Sequence, residues 1–217
     1  MRDAGEAFDR AMTFVRERGV LRRGERALLA CGGGAASVGM VAFVALAQRE
    51  LALREIAVVT VDDGTDEGSE RCVEAARVAR QLGLAVHVVE RDRGQTTVAR
   101  AKALARDGGW SALALGETIE DAAARTLREI MSESPVRGLC ARRKDRVCRP
   151  LLGSSIAEAD AISARAGIAL PGALPAAAEG ARAKDRAVRE AILPRIRAFW
   201  PEADRSLAGL CDRVHRG

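Results

Sequence analysis

The chain has 217 residues and a formal net charge of +5, from 35 Lys and Arg against 30 Asp and Glu. Hydrophobic residues at 48% and charged residues at 30% exclude global disorder, and the length suits one domain with a buried core plus an appendage. Arginine outnumbers lysine 32 to 3 and alanine reaches 43, a skew that reads first as coding bias and not as a nucleic-acid signal.

The hydrophobic period alternates between that of a helix and that of a strand. Residues 3–19 carry a helical stripe of Ala7, Phe8, Ala11, Met12, Phe14 and Val15. Arg26–Cys31 reads as a short apolar strand that runs into Gly32-Gly33-Gly34, and a helix follows from about Ser37 to Glu50. Glu55–Val61 is a β-branched strand ending at Asp62-Asp63-Gly64, and residues 67–82 form a helix with Cys72, Ala75, Ala76, Ala79 and Leu82 inward. Ala85–Val89 is a third strand, residues 97–107 a helix, and Ala112–Leu115 a fourth strand. Residues 119–131 form a helix with Ile119, Ala122, Ala123, Leu127 and Ile130 on its inner face. A basic loop, a strand over Val147–Leu152 and a helix from Ser155 to Ala166 complete the α/β part. Apolar strands alternating with helices predict a doubly wound, mostly parallel sheet covered on both faces. The expected division is an α/β domain over 1–170, a Pro-, Ala- and Gly-rich linker over 171–180, and helices at 181–199 and 202–214 within a 181–217 extension.

No window reaches the ~18 apolar residues of a membrane span, and MRDAGEAFDR has acids where a secretory leader needs a basic and then an apolar region. A cytoplasmic location and no membrane partner are expected. Cys31, Cys72, Cys140, Cys148 and Cys211 are odd in number and form no CxxC, so zinc and iron–sulfur sites are not expected. His87 and His215 are too isolated for histidine-based catalysis.

The segment richest in chemistry is the turn Cys31-Gly32-Gly33-Gly34-Ala35-Ala36-Ser37 between a strand and a helix. Small residues there let the backbone approach an anion, and the helix start offers free N–H groups and partial positive charge. A Walker A loop would need a Lys that is absent, and the dinucleotide fingerprint fails where its third glycine falls on Ser37. A ligand-free glycine turn is the alternative reading.

Taken together with its surroundings, FVRERGVLRRGERALLACGGGAASVGMVAFVAL resembles the N-terminus of the PP-loop ATP pyrophosphatases, where a strand runs into Ser-Gly-Gly-x-Asp-Ser. AVVTVDDG (57–64) is similar to that family's second strand, with its Val-Asp-His-Gly ending. SALALGETIEDAAARTL (111–127) resembles its Leu-Gly-His-x-x-Asp-Asp-x-x-Glu-Thr segment, and DRVCRPLLGSSIAEADAISARAGI (145–168) its Arg-Pro-Leu-Leu segment and following helix. REAILPRIRAFWPEADRSLAGL (189–210) looks like the helical end of the tRNA(Ile)-lysidine synthetase catalytic core. The resemblance implies a Rossmann-like fold and ATP and Mg2+ as cofactors. It implies ATP-dependent adenylation of a tRNA base with pyrophosphate release. It places nucleotide contacts at Cys31, Gly32, Gly33, Gly34, Ala35, Ala36, Ser37, Val61, Asp62 and Gly116. Glu120 and Asp121 fall at its catalytic acid pair, with Asp121 as the expected metal ligand. A homodimer is a further implication, to which Ala-rich helix faces are suited.

The departures fall on the chemical positions. Cys31, Ala35 and Ala36 stand for the family's Ser, Asp and Ser; Asp63 and Glu117 stand for its two histidines; Ala124-Arg125 stand for Glu-Thr. Its Arg-Asn-Arg-x-Arg-His run reads as Asp185 to Glu190. A catalytically degenerate nucleotide-binding or scaffold module is therefore the alternative expectation. Arg142, Arg143, Lys144 and Arg146 crowd one loop and Arg186 and Arg189 a terminal helix, where they suit an RNA phosphate backbone.

Overall fold

A computed structural model describes residues 4–92, 94–169 and 181–214, so the linker expected at 171–180 lies outside the described residues, as does His215. In chain order the elements are α1 (Ala4–Glu17), β1 (Arg26–Ala30), α2 (Ala35–Ala47), β2 (Glu55–Asp62), α3 (Asp66–Gln81), β3 (Ala85–Glu90), α4 (Thr97–Asp107), β4 (Ala112–Leu115) and α5 (Ile119–Met131). They continue with β5 (Val147–Cys148), α6 (Ile156–Arg165), α7 (Ala181–Ala187), a π-helical turn (Val188–Ile192), α8 (Leu193–Phe199) and α9 (Ala203–Val214).

The five strands form one all-parallel sheet in the order β3-β2-β1-β4-β5. Successive side chains of β1 alternate between its faces. Leu29, Val58, Ala114 and Cys148 point into a large core with Phe8 and Met12 of α1, Val41 and Val44 of α2, and Ile162 of α6. Leu28, Ala57, Val59, Leu113 and Val147 point the other way, against Ala101 and Ala105 of α4 and Trp110. Helix α2 is apolar all round because it is enclosed between the sheet and α6. No helix among the described residues is long and apolar enough to cross a membrane.

Four expectations are corrected. Helix α2 starts at Ala35, two residues before Ser37, so Ala35 and Ala36 are helical. The strand expected over Val147–Leu152 shrinks to Val147–Cys148, because Arg149 turns off to bond elsewhere. Strand β3 is an edge strand with one neighbour, so His87 and Val88 are exposed and not covered. On α5, Ile130 is 46% exposed while Ala124, Thr126 and Glu129 are buried. A single-stripe reading fails there because α5 has partners on two sides.

The second side of α5 is taken by the C-terminal helices. Ala123 and Ala124 pack against Val188 and Leu193, with Leu127, Ile196 and Leu207 around them. Asp185 of α7 accepts from Arg125 at 2.7 Å and from Arg128 at 2.5 Å. The π-helical turn precedes Pro194, whose missing N–H and bulky ring disfavour an uninterrupted α-helix.

Candidate functional site

Chain connections leave β1 toward β2 on one side, while β4 lies on the other, so the sheet order reverses between them. Ligands of open α/β sheets bind in the crevice at such a point, outside the carboxyl ends of the strands. The Cys31–Gly34 loop after β1 and Gly116–Thr118 after β4 meet there.

The loop is shaped by its own sequence. Gly33 takes a φ of 74°, the left-handed region that a side chain disfavours. Gly34 is the N-cap of α2 and contributes no side-chain cap. The helix-start N–H groups of Ala35, Ala36 and Ser37 therefore lack the acceptor that a Ser or Asp would bring. The Ser37 hydroxyl braces the turn, accepting from Gly32 N at 3.2 Å and donating to Gly34 O at 2.8 Å. Gly116 closes in from β4: a Cβ there would lie 2.5 Å from Ser37 Cα and 2.7 Å from Ala36 O. In front of Gly32 and Gly34 there is open space, with nothing within 4 Å of a Cβ built on either. This is a backbone N–H rim open to an anion and backed by a helix dipole, which fits phosphate.

The carboxylates around the rim are held by protein partners. Asp121 Oδ2 accepts from Thr118 N at 2.9 Å in a capping box, and its Oδ1 accepts from Arg189 Nη1 at 2.6 Å. Glu120 accepts from Ile156 N, at 3.1 and 3.2 Å, and so caps α6. Glu117 pairs with the buried Arg149, which also donates to Cys140 O. Asp62 accepts from Gly64 N at 2.9 Å and Ser69 Oγ at 3.2 Å. Asp63 accepts from Thr65 Oγ1 at 2.6 Å and Arg71 Nη2 at 2.7 Å. Burial would raise the Asp63 carboxyl, but the Thr65 hydroxyl and N–H, with Arg71 and Arg91, outweigh it and hold it below the ordinary carboxylate range.

The residues present do not fit Mg2+. Magnesium wants several oxygens in octahedral geometry; Ala35 offers none, and Asp121 and Glu120 are bonded as above. No group of three His, Cys, Asp or Glu side chains able to hold a metal occurs among the described residues. The magnesium expectation at Asp121 is thus not supported by its surroundings. Burial pushes the Cys31 thiol up, and pushes Cys148 up to about 12, so both are neutral thiols near neutral pH.

The structure divides the basic residues into two groups. Arg142 donates to both Glu25 carboxylate oxygens, at 2.7 and 3.1 Å, and is largely buried by that pairing. Arg143, Lys144 and Arg146 are exposed on the turn before β5. Arg186 pairs with Glu190 at 2.8 Å, and Arg189 reaches Asp121 at the crevice. Thr118, fully buried, escaped the sequence reading although Thr118-x-x-Asp121 is a capping-box spacing. Asp185 carried no such signal, since its partners are 57 and 60 residues away.

No protein-family model matches the chain, and no curated protein matches it in sequence. Solved structures do. A U34-tRNA thiolase, NcsA, from Methanococcus maripaludis, determined with its [4Fe-4S] cluster, superposes with a TM-score of 0.76 at 14% identity, over 96% of this chain and 78% of that one. An NAD+ synthetase from Burkholderia pseudomallei superposes with a TM-score of 0.52 at 14% identity, over 100% of this chain and 88% of that one. At this identity the likeness bears on architecture alone, and the chain shares a Rossmann-like α/β fold with these structures.

Proposed function

We propose that this chain is a nucleotide-binding PP-loop module that holds the phosphates of an adenine nucleotide by backbone contacts. Gly32, Gly33 and Gly34 form the cradle, and the N–H groups of Ala35, Ala36 and Ser37 face the phosphates. Cys31, Val61, Asp62 and Gly116 frame the site. The observation that carries this reading is the uncapped start of α2 behind open space at Gly32 and Gly34. An anion there satisfies donors that the chain leaves unmet. The same residues bind and orient without supplying a general base, because the nearby carboxylates are occupied by Thr118, Arg189, Ile156, Arg149 and Arg71. Binding without rapid turnover follows. Calorimetry with ATP and AMP, with and without EDTA, tests it. ATP binding that survives EDTA supports the module, and no binding of either nucleotide refutes it.

A second reading is adenylation of a tRNA base with pyrophosphate release, as in the lysidine synthetases. Arg189 favours it, since this cation reaches the mouth of the crevice from the segment that stands where the family carries its basic run. A charge there suits a departing pyrophosphate. RNA-dependent pyrophosphate release from ATP at millimolar magnesium would establish this reading, and its absence with bulk tRNA would dismiss it.

A further inference from the structure

A separate concentration of charge lies where the strands begin. Arg18 and Arg22 sit on the connection between α1 and β1, and Arg143, Lys144 and Arg146 on the turn before β5. With Arg142 they line a cavity of 380 Å³, and all six lining residues are cationic. Arg142 brings the two segments together, donating to Val20 O at 2.8 Å across 122 residues of sequence and gripping Glu25. The turn is fixed by Arg143 N donating to Val147 O at 2.8 Å and Arg146 N donating to Arg143 O at 3.2 Å. Arg146 is held at a φ of 67°, where glycine would be unstrained. Asp145 pairs with Arg143 and Lys102, outside the cavity lining.

Because the sheet is parallel, this cavity is at the opposite edge from the glycine loop. The five residues of β1, at ~3.3 Å each, put about 16 Å between the two. We infer that the cavity is a second anion site, distinct from the nucleotide loop, that takes a compact oligophosphate. Cations from two segments converge on one open-mouthed hollow, which suits several negative charges close together. An RNA backbone spaces its charges along a strand and is met better by a stripe. The lining has no aromatic or apolar side chain, so recognition falls on the phosphates and not on a base or ring. Arginine forks suit phosphate oxygens in pairs.

The test is calorimetry of the full chain with inorganic triphosphate, at constant ionic strength because such binding is salt-sensitive. The probe variant is Arg22→Gln/Lys144→Gln/Arg146→Gly. It removes three exposed charges and relaxes the left-handed residue, so its fold and thermal midpoint should persist. Should it not fold, Lys144→Gln alone replaces it. In the Gly32→Val background, which fills the room over the glycine loop, triphosphate is expected to stay bound at the cavity, and its affinity to fall about tenfold or more in the triple variant, or severalfold in the single one. Unchanged affinity in the cavity variants overturns the inference, as does loss in Gly32→Val alone or equal binding of sulfate. A 12-nucleotide single-stranded RNA is titrated in parallel. If it depends on these residues while triphosphate does not bind, the cavity is an RNA contact and the oligophosphate assignment fails.

Discussion

On the proposed reading, single residues at the loop decide whether an anion is admitted. Gly32 faces open space and lacks a left-handed φ, so valine there leaves the fold intact while filling the room over the rim. Gly32→Val should abolish ATP binding in calorimetry with a melting temperature close to the parent. Retained ATP affinity would show that phosphates do not sit on this loop. Asp63 carries a pH prediction. Its folded carboxyl is depressed, so the unfolded chain takes up the proton first as pH falls. Its contribution is full above the ordinary carboxylate range near pH 4 and is lost as pH drops through its folded value. Asp63→Asn should therefore destabilise the chain at pH 7 by about 1–3 kcal/mol, through loss of the Asp63–Arg71 ion pair, and should flatten the loss of stability between pH 5 and 2. Chemical denaturation at a series of pH values reads both effects. None of these pairings was legible in the sequence. Arg189 is 68 residues from Asp121, and Ile156 is 36 from Glu120. Two adjacent acids at a helix start read as a catalytic pair until their partners are placed, and only folding places them.

Elements were far easier to read than sites, for a physical reason. Strand and helix periods are local, and β4, α4 and α5 fall where the pattern puts them. The reading failed where burial is decided by distant neighbours: at the edge strand β3, and on α5, where Ala122 packs on Leu139 and Leu152 while Ala123 and Ala124 pack on the C-terminal helices. The approach of β4 to α2 was also hidden, since nothing local marks Gly116 as a contact. A side chain there meets backbone and not a flexible tip, so the two elements must move apart. Gly116→Ala should cost about 1–3 kcal/mol in denaturant unfolding and weaken nucleotide binding with it. The same change at the exposed Gly94, with a φ of 82°, should cost less and leave binding unchanged. Equal effects at both glycines would mean that the β4–α2 approach does not shape the loop.

At the scale of the whole molecule, composition suggested a domain followed by a separate helical extension. The packing argues for one cooperative unit. Leu193 is fully buried against Ala123 and Ala124, and Asp185 bridges Arg125 and Arg128 of α5. Arg189 meets Asp121, the residue that caps α5 beside the glycine loop. The extension therefore supports the helix that carries one wall of the crevice. Leu193→Ala removes a buried side chain from this interface, at a cost of about 2–5 kcal/mol. In an integrated unit that loss lowers the single unfolding transition of the entire chain. In an extension hinged over 171–180 it would melt only the terminal helices, leaving the transition of the sheet where it was. Far-UV circular dichroism and Trp110 fluorescence, followed in the same titration in a Trp200→Phe background so that Trp110 alone emits, separate these outcomes. Trp110 sits in the core beside α4, away from the substituted residue, while helix content includes the terminal segment. Coincident shifts in both signals are expected. An early helical phase with an unmoved Trp110 signal would make the extension an independent part and detach it from the candidate site.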